Sequence, residues 1–109
     1  KGLIKMQNNE ITGSYTHNPS DAKSIVNNSV RTICEDNFWY LWVGSQFGLS
    51  RMNVQTEEFQ TYTHNAANRG SLSSNSVMNL FKDRQGTICI STFFGGVNYI
   101  NPENQKIQF

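Results

Sequence analysis

Four residues of this sequence have side chains suited to binding a sugar: Phe47, Arg69, Phe93 and Phe94. A sugar ring has an apolar face that stacks on an aromatic ring, and a rim of hydroxyl groups that hydrogen-bonds to amide and guanidinium groups. Asparagine and glutamine side chains are frequent in the neighbouring segments. We therefore predict that these four residues, called here the candidate ligand residues, contribute to a binding site.

Two of the aromatic residues also have a competing structural explanation. Phe47 and Phe94 are 47 residues apart and occupy equivalent positions in an internal repeat. A residue that recurs at the same place in each repeat usually belongs to the framework. Packing between repeat units is therefore the favoured alternative role for these two rings, and both explanations stay open on sequence grounds.

Two pairs of titratable residues recur at the same spacing of 47 residues, His17/His64 and Asp36/Asp83. Because a whole repeat separates the two histidines, we predict structural or solvent-facing roles for them. The aspartates stand at turn positions, where their carboxylates accept backbone N–H groups. The sequence has no Cys/His metal spacing, no G-x-S-x-G motif and no phosphate-binding loop. We expect no catalytic residue, no metal and no cofactor.

Composition excludes several classes of partner. The net charge is +1 and charged residues make up 16% of the chain, which gives no electrostatic basis for binding nucleic acid or an anionic membrane. No apolar run approaches the roughly 18 residues of a membrane span, so direct membrane insertion is not expected. Cys34 and Cys89 occupy non-equivalent repeat positions and are predicted to be free thiols instead of a disulfide.

The sequence of the framework that positions these residues occurs twice in the chain. The segment VRTICEDNFWYLWVGSQFGL at 30–49 is matched by VMNLFKDRQGTICISTFFGG at 77–96. A self-match with a period of about 40 to 50 residues indicates a repeat architecture. Identical pairs at this spacing are Asn28/Asn75, Ser29/Ser76, Val30/Val77, Asp36/Asp83 and Phe47/Phe94.

Short runs of β-forming residues, separated by turn residues, fill each repeat, and no helix-length window has a 3.6-residue period. Asp83-Arg84-Gln85-Gly86 has the composition of a tight turn. The predicted strands are 3–6 and 11–15, then 29–35, 40–45, 49–54 and 58–64 in the first repeat, and 76–82, 87–92, 97–101 and 106–109 in the second.

Four-stranded units of about 47 residues that stack face to face are the blades of a β-propeller. The predicted fold class is therefore all-β, with four antiparallel strands to a blade, and a flat solenoid is the weaker alternative. We divide the chain into the last two strands of a preceding blade (1–17), one blade (18–64) and a second blade (65–109). The second strands are apolar without alternation, which predicts sheets covered on both faces.

The predicted propeller places the candidate ligand residues on one side. Hairpins between second and third strands share a face with the long links 18–28 and 65–75, and ligands usually bind a propeller on that face. The three phenylalanines lie on such hairpins, and the arginine lies on the second link. At the opposite hairpin, Phe38, Trp39 and Tyr40 form a candidate contact patch.

One motif points to a family. The pattern V-x-x-I-x-E-D-x-x-x-x-L-W-V-G-S-x-x-G-L at 30–49, with Phe59-x-x-Tyr62 after it, resembles the two-component regulator propeller repeat. That repeat builds the periplasmic sensor region of hybrid two-component histidine kinases in Bacteroides-type bacteria. The chain departs from it at three positions: Trp39 stands at the turn glycine kept as Gly86, Cys89 at the tryptophan kept as Trp42, and Lys82 at the acid kept as Glu35.

The resemblance implies a non-catalytic fragment of about two and a half blades from the extracytoplasmic sensor propeller of a hybrid histidine kinase. It would signal the presence of a glycan-derived ligand from the periplasm, as part of an inner-membrane protein whose kinase lies outside this chain. The expected partners are the other blades and an oligosaccharide. A scaffold or protein-interaction propeller without a small-molecule site is the alternative, and an enzyme propeller would need non-repeating catalytic residues.

Exposed strand edges and uncovered apolar faces favour pairing with other chains. We therefore expect the isolated fragment to self-associate. The identity of the ligand and the position of these blades in a parent protein stay open.

Overall fold

The computed structural model describes residues 2–68, 70–103 and 107–108, and within them every regular element is a β-strand. The described residues form ten strands, each overlapping a strand predicted from the sequence, so the all-β prediction is confirmed. None of the described residues forms a helix long and apolar enough to cross a membrane. The strands are β1 (Leu3–Gln7), β2 (Glu10–Tyr15), β3 (Val30–Glu35), β4 (Tyr40–Ser45), β5 (Gly48–Asn53), β6 (Phe59–Tyr62), β7 (Val77–Lys82), β8 (Ile88–Thr92), β9 (Gly96–Ile100) and β10 (Ile107–Gln108).

The strands form three antiparallel sheets. The first is the β1–β2 hairpin, the second has the order β3-β4-β5-β6, and the third has the order β7-β8-β9-β10. Each four-stranded sheet is a meander, and the two sheets share details of register. The pairing slips between Val30 and Thr32 in one sheet and between the equivalent Val77 and Asn79 in the other. Positions 106 and 109 of the predicted last strand lie outside the described residues.

A first apolar core lies between the two four-stranded sheets. Trp42 and Leu49 come from one sheet and Ile88, Ile90 and Ile100 from the other, all fully buried. The sheets approach closely at Gly44, where an added Cβ would come within 2.5 Å of a Val77 methyl carbon. Any larger residue at this position would push the sheets apart.

A second core covers the opposite face of the β3–β6 sheet. Val43, Met52 and Phe59 are buried there, with Leu3 and Tyr15 of the β1–β2 hairpin against them. Adjacent residues Trp42 and Val43 are therefore both buried, on opposite faces of one strand. The predicted covering of both faces is confirmed for this strand.

The long links are held by the same hydrogen bonds in both repeats. The backbone N–H of His17 donates to Asn28 Oδ1 at 2.6 Å, and its ring Nδ1 donates to the carbonyl of Ile25 at 2.8 Å. His64 repeats both bonds, to Asn75 Oδ1 at 2.6 Å and to the carbonyl of Leu72 at 2.7 Å. The predicted structural role of the histidines is confirmed.

Both cysteines are free thiols, as predicted. Cys34 is half-buried and Cys89 is buried. Burial raises the pKa of each thiol above its ordinary value of 9.0. Both residues therefore act as small apolar side chains at neutral pH.

Candidate ligand-binding site

The aromatic candidate ligand residues lie on two neighbouring hairpins. Phe47 belongs to the two-residue connection between Ser45 and Gly48, which are paired across β4 and β5. Phe93 and Phe94 belong to a three-residue connection between the paired ends of β8 and β9. The rings of Phe93 and Phe94 are in edge-to-face contact, with centroids 4.5 Å apart.

All three phenylalanines are exposed, with exposed fractions of 53% for Phe47, 61% for Phe93 and 82% for Phe94. Packing between sheets therefore does not bury Phe47, although the next sheet is present beside it. The hairpins themselves are fixed, because the N–H of Phe93 donates to the carbonyl of Ser76 at 2.9 Å and the N–H of Gln46 donates to that of Ser29 at 3.0 Å. Exposed rings on fixed backbone can stack on a ligand at little entropic cost.

The structure places these hairpins beside the links, as the sequence predicted. The N–H of Gly48 donates to the carbonyl of Asn75 at 2.5 Å, at the end of the second link. Gly95 lies so close to Ser73 that an added Cβ would clash with its side chain. Arg69, the fourth candidate ligand residue, lies outside the described residues.

A groove next to the second link was not predicted from the sequence. It has a volume of about 420 Å³ and is lined by His64, Asn65, Asn68, Ser73 and Asn98, among others. Ser73 links the groove to the Phe93–Phe94 pair through its contact with Gly95. We call the groove together with this pair the link groove. The sequence did not predict this groove, because its lining combines residues of the second link with a residue of β9. Ser73 and Asn98, which are hydrogen-bonded to each other there, are 25 residues apart in the sequence.

The link groove combines polar lining side chains with the adjacent aromatic pair. Its amides and hydroxyls can donate and accept hydrogen bonds, and the adjacent rings offer apolar surface. Its floor is rigid, since Asn98 is 1% exposed and its Oδ1 accepts from both the N–H and the Oγ of Ser73, at 3.1 and 2.9 Å. The described residues contain no cluster of three or more His, Cys, Asp or Glu that could hold a metal.

The turn aspartates have the predicted role. Asp36 Oδ1 accepts the N–H groups of Phe38 and Tyr40 at 2.7 and 3.1 Å, and Asp83 Oδ1 accepts those of Gln85 and Thr87 at 2.9 and 3.0 Å. Sequence reasoning missed one further bond, from Trp42 Nε1 to Asp36 Oδ2 at 2.8 Å. Both carboxylates therefore have structural roles in their turns.

The opposite end of the β3–β6 sheet carries the predicted aromatic patch. Phe38 and Trp39 are 45% and 74% exposed. Tyr40 is half-buried beneath the guanidinium of Arg51, which lies 3.9 Å from its ring centroid. Arg51 is 6% exposed, and its Nη2 donates to Gln60 Oε1 at 2.8 Å. A cation–π contact with Arg51 therefore holds Tyr40, the half-buried member of the patch, in place.

Comparison with known proteins identifies the fold. No protein-family model matches the chain, and no curated protein matches it. Among solved structures, the extracellular domain of the hybrid two-component system BT3049 from B. thetaiotaomicron is 24% identical, with a TM-score of 0.86, over 99% of this chain and 15% of that one.

Two further structures are similar over shorter parts. The extracellular domain of the one-component system BT4673 from the same organism is 20% identical with a TM-score of 0.67, over 92% of this chain and 12% of that one. A structure of BT4673 described as a hybrid two-component system is 22% identical with a TM-score of 0.61, over 74% and 10%. The chain therefore shares the fold of a small part of these extracellular domains, in agreement with the resemblance in the sequence.

Proposed function

We propose that this chain is part of the extracytoplasmic sensor propeller of a hybrid two-component histidine kinase. One observation carries the proposal: nearly the whole chain superposes on a segment of the extracellular domain of BT3049. The repeat motif at 30–49 points to the same class independently of the coordinates. The chain is then located in the periplasm, as part of an inner-membrane protein, and its role is non-catalytic.

In this proposal the sheets are propeller blades. Residues 1–17 supply the last two strands of one blade, 18–64 make the next, and 65–109 make a third. The face-to-face stacking of the sheets through two apolar cores supports this division. So does the repetition of the same link hydrogen bonds from one sheet to the next.

The ligand proposed for the link groove is a glycan-derived oligosaccharide. Phe93 and Phe94 would stack on a sugar ring, Phe47 would extend the apolar surface, and the groove amides would hydrogen-bond to hydroxyl groups. Arg69 is kept in the proposal because it belongs to the link that borders the groove. Binding would act by population shift, since a ligand that prefers one arrangement of the extracytoplasmic region increases the population of that arrangement.

The test is calorimetric titration of the full extracytoplasmic region with a panel of host and plant oligosaccharides. Alanine variants of Phe47, Arg69 and Phe94 are compared with a control variant, Trp39→Ala. Trp39 lies in the β3–β4 hairpin, at the opposite end of the β3–β6 sheet from Phe47. We expect the affinity for one oligosaccharide to fall by about tenfold or more in the phenylalanine variants, with no change in the control. Equal binding by all variants would mean that the oligosaccharide is recognised outside these blades.

A scaffold or protein-interaction propeller is the second candidate, and the exposed Phe38–Trp39 patch is the observation that favours it. Tryptophan, tyrosine and arginine are enriched at protein contact surfaces, and the exposed Trp39 precedes Tyr40, on which Arg51 stacks. In that case the control variant Trp39→Ala would weaken binding of a protein partner in a pull-down of the extracytoplasmic region, and no oligosaccharide would bind.

A further inference from the structure

Arg51 is a buried cation whose hydrogen-bonding capacity is only partly used. Its side chain stacks on Tyr40, and its Nη2 donates to Gln60 Oε1 at 2.8 Å. Its buried Nε and Nη1 have no hydrogen-bond partner among the described residues. Stacking on an aromatic ring stabilises the charge, but buried N–H groups without an acceptor cost free energy. The guanidinium is therefore short of an acceptor.

The burial of Arg51 is produced by two sheets of this chain. Arg51 is paired with Trp42 across β5 and β4, so the two side chains share one side of the sheet. On that side Trp42 packs against the β7–β10 sheet. Burying a charge in such an interface is costly unless a group of opposite charge accompanies it. The two ion pairs of the described residues do not include Arg51.

The equivalent cation in the preceding sheet does have an acid. Lys5 aligns with Arg51, since the segment GLIKM corresponds to GLSRM. Lys5 Nζ lies 3.2 Å from Glu57 Oε2, which belongs to the connection between β5 and β6 of the next sheet. The group that accompanies the cation at this repeat position is therefore a carboxylate.

The sequence of the following repeat lacks that acid. Gln105 and Glu57 each stand two residues before the last strand of a four-stranded meander, at Ile107 and Phe59, which have equivalent pairing. A glutamine amide is neutral and cannot balance a positive charge. Arg51 therefore retains the cation of the repeated pair, while the sequence has replaced the acid.

A groove with a volume of about 250 Å³ lies beside Arg51. Lys23 and Glu58 on its wall are 3.4 Å apart and largely exposed, so their charges offset each other and the charge of Arg51 is left in excess. Asn53, Thr56 and Gln60 add amide and hydroxyl groups to the lining. The groove shares no lining residue with the link groove.

We propose that this groove binds the carboxylate group of a small polar ligand through Arg51. A planar guanidinium suits a carboxylate, and this is the group that the repeat places beside Lys5. The guanidinium charge is delocalised, so a carboxylate in the groove compensates it even when it contacts only part of the group.

Two sources have this chemistry, a sugar acid and a simple organic acid. The amide and hydroxyl groups of the lining can bind sugar hydroxyls, which favours the sugar acid. The inference does not rest on the proposed sensor function, and it holds whether or not the link groove binds an oligosaccharide.

Ligand-detected NMR titration of the full 109-residue chain tests the proposal. D-glucuronate is compared with D-glucose, which has a hydroxymethyl group in place of the carboxylate, at constant ionic strength. We expect saturable binding of glucuronate with a Kd of about 5 mM or lower, and binding of glucose that is weaker by about tenfold or more. Acetate, measured in parallel, separates the two sources: it binds as tightly as glucuronate if the carboxylate alone suffices, and more weakly if the site takes a sugar acid.

Three glutamine variants locate the binding. Arg51→Gln removes the cation and should weaken glucuronate binding by about tenfold or more. Glu58→Gln removes the acid of the groove wall and should strengthen binding by about threefold, because it removes repulsion of the carboxylate. Arg84→Gln makes the same charge change as the first variant at an exposed turn position between β7 and β8, and it should leave the affinity unchanged.

Glu58→Gln keeps the test decisive if Arg51→Gln does not fold, since the Glu58 side chain is exposed. Equal affinities for glucose and glucuronate would overturn the proposal. An affinity for glucuronate that Glu58→Gln does not raise, or that Arg84→Gln lowers as much as Arg51→Gln does, would also overturn it.

Discussion

The two four-stranded sheets have the same strand order and similar pairing, but they differ in the side chains near the hairpins at the ends of their strands. In the β3–β6 sheet, Asp36 accepts the turn N–H groups and also the indole N–H of Trp42. In the β7–β10 sheet, Asp83 accepts the turn N–H groups, but Cys89 stands at the position of that tryptophan. The hydrogen bonds from turn N–H groups to the aspartate are therefore common to both sheets, whereas the bond from the indole N–H stabilises only the β3–β6 sheet.

The hairpins differ in a related way. The turn of the first sheet has Trp39 in the left-handed region, with φ of 70°, where the second sheet has Gly86 with φ of 87°. At the other end, a two-residue connection with one phenylalanine is replaced by a three-residue connection with a pair. A substitution in one turn and an inserted residue in the other therefore change the surface that each sheet exposes, while the strand order stays the same.

The largest expected effect concerns Trp42. Trp42→Ala should lower the free energy of unfolding by about 4 kcal/mol, because it removes a fully buried ring and leaves Asp36 Oδ2 without its partner. Cys89→Ala, the matched change in the other sheet, should cost about 1 kcal/mol. Urea denaturation measures both, and equal losses would contradict the difference drawn between the sheets.

An intermediate effect is expected at the turns, with opposite signs in the two sheets. Trp39→Gly should stabilise the protein by about 1 kcal/mol, since it relieves a left-handed backbone at a residue that is 74% exposed and so loses little packing. Gly86→Ala should destabilise it by about 1 kcal/mol for the same reason. Thermal melting would show a higher midpoint for the first variant and a lower one for the second.

The smallest effect is a dependence of stability on alkaline pH. Burial raises the pKa of Cys34 and Cys89 above 9.0 and that of Tyr62 above 10.0, so the unfolded chain releases these protons first. Their contribution to stability should be complete below about pH 9 and lost as the pH rises through the folded-state pKa values. Denaturation midpoints measured between about pH 7 and pH 11 would check this, with Cys34→Ala and Cys89→Ala as the control pair.

Much of the fold could be predicted because its signals are local. Turn residues such as Asp83 and Gly86 act within four positions, and apolar runs such as that of β4 mark strands that are covered on both faces. The structural role of the histidines was also predictable, because a pair one repeat apart fits a framework. The candidate site was predictable only in part: the hairpin position of the phenylalanines followed from the repeat, and the link groove did not.

The sequence by itself determined the period of 47 residues, the ten strands and the hairpins that carry the aromatic rings. Only the tertiary structure decided which of these surfaces are covered. Met6 and Met52 occupy equivalent positions in the similar segments GLIKM at 2–6 and GLSRM at 48–52, but one is 60% exposed and the other 6%. The reason is that burial depends on the sheet that packs against a residue, and that neighbour is set by stacking between units instead of by the residue's own strand.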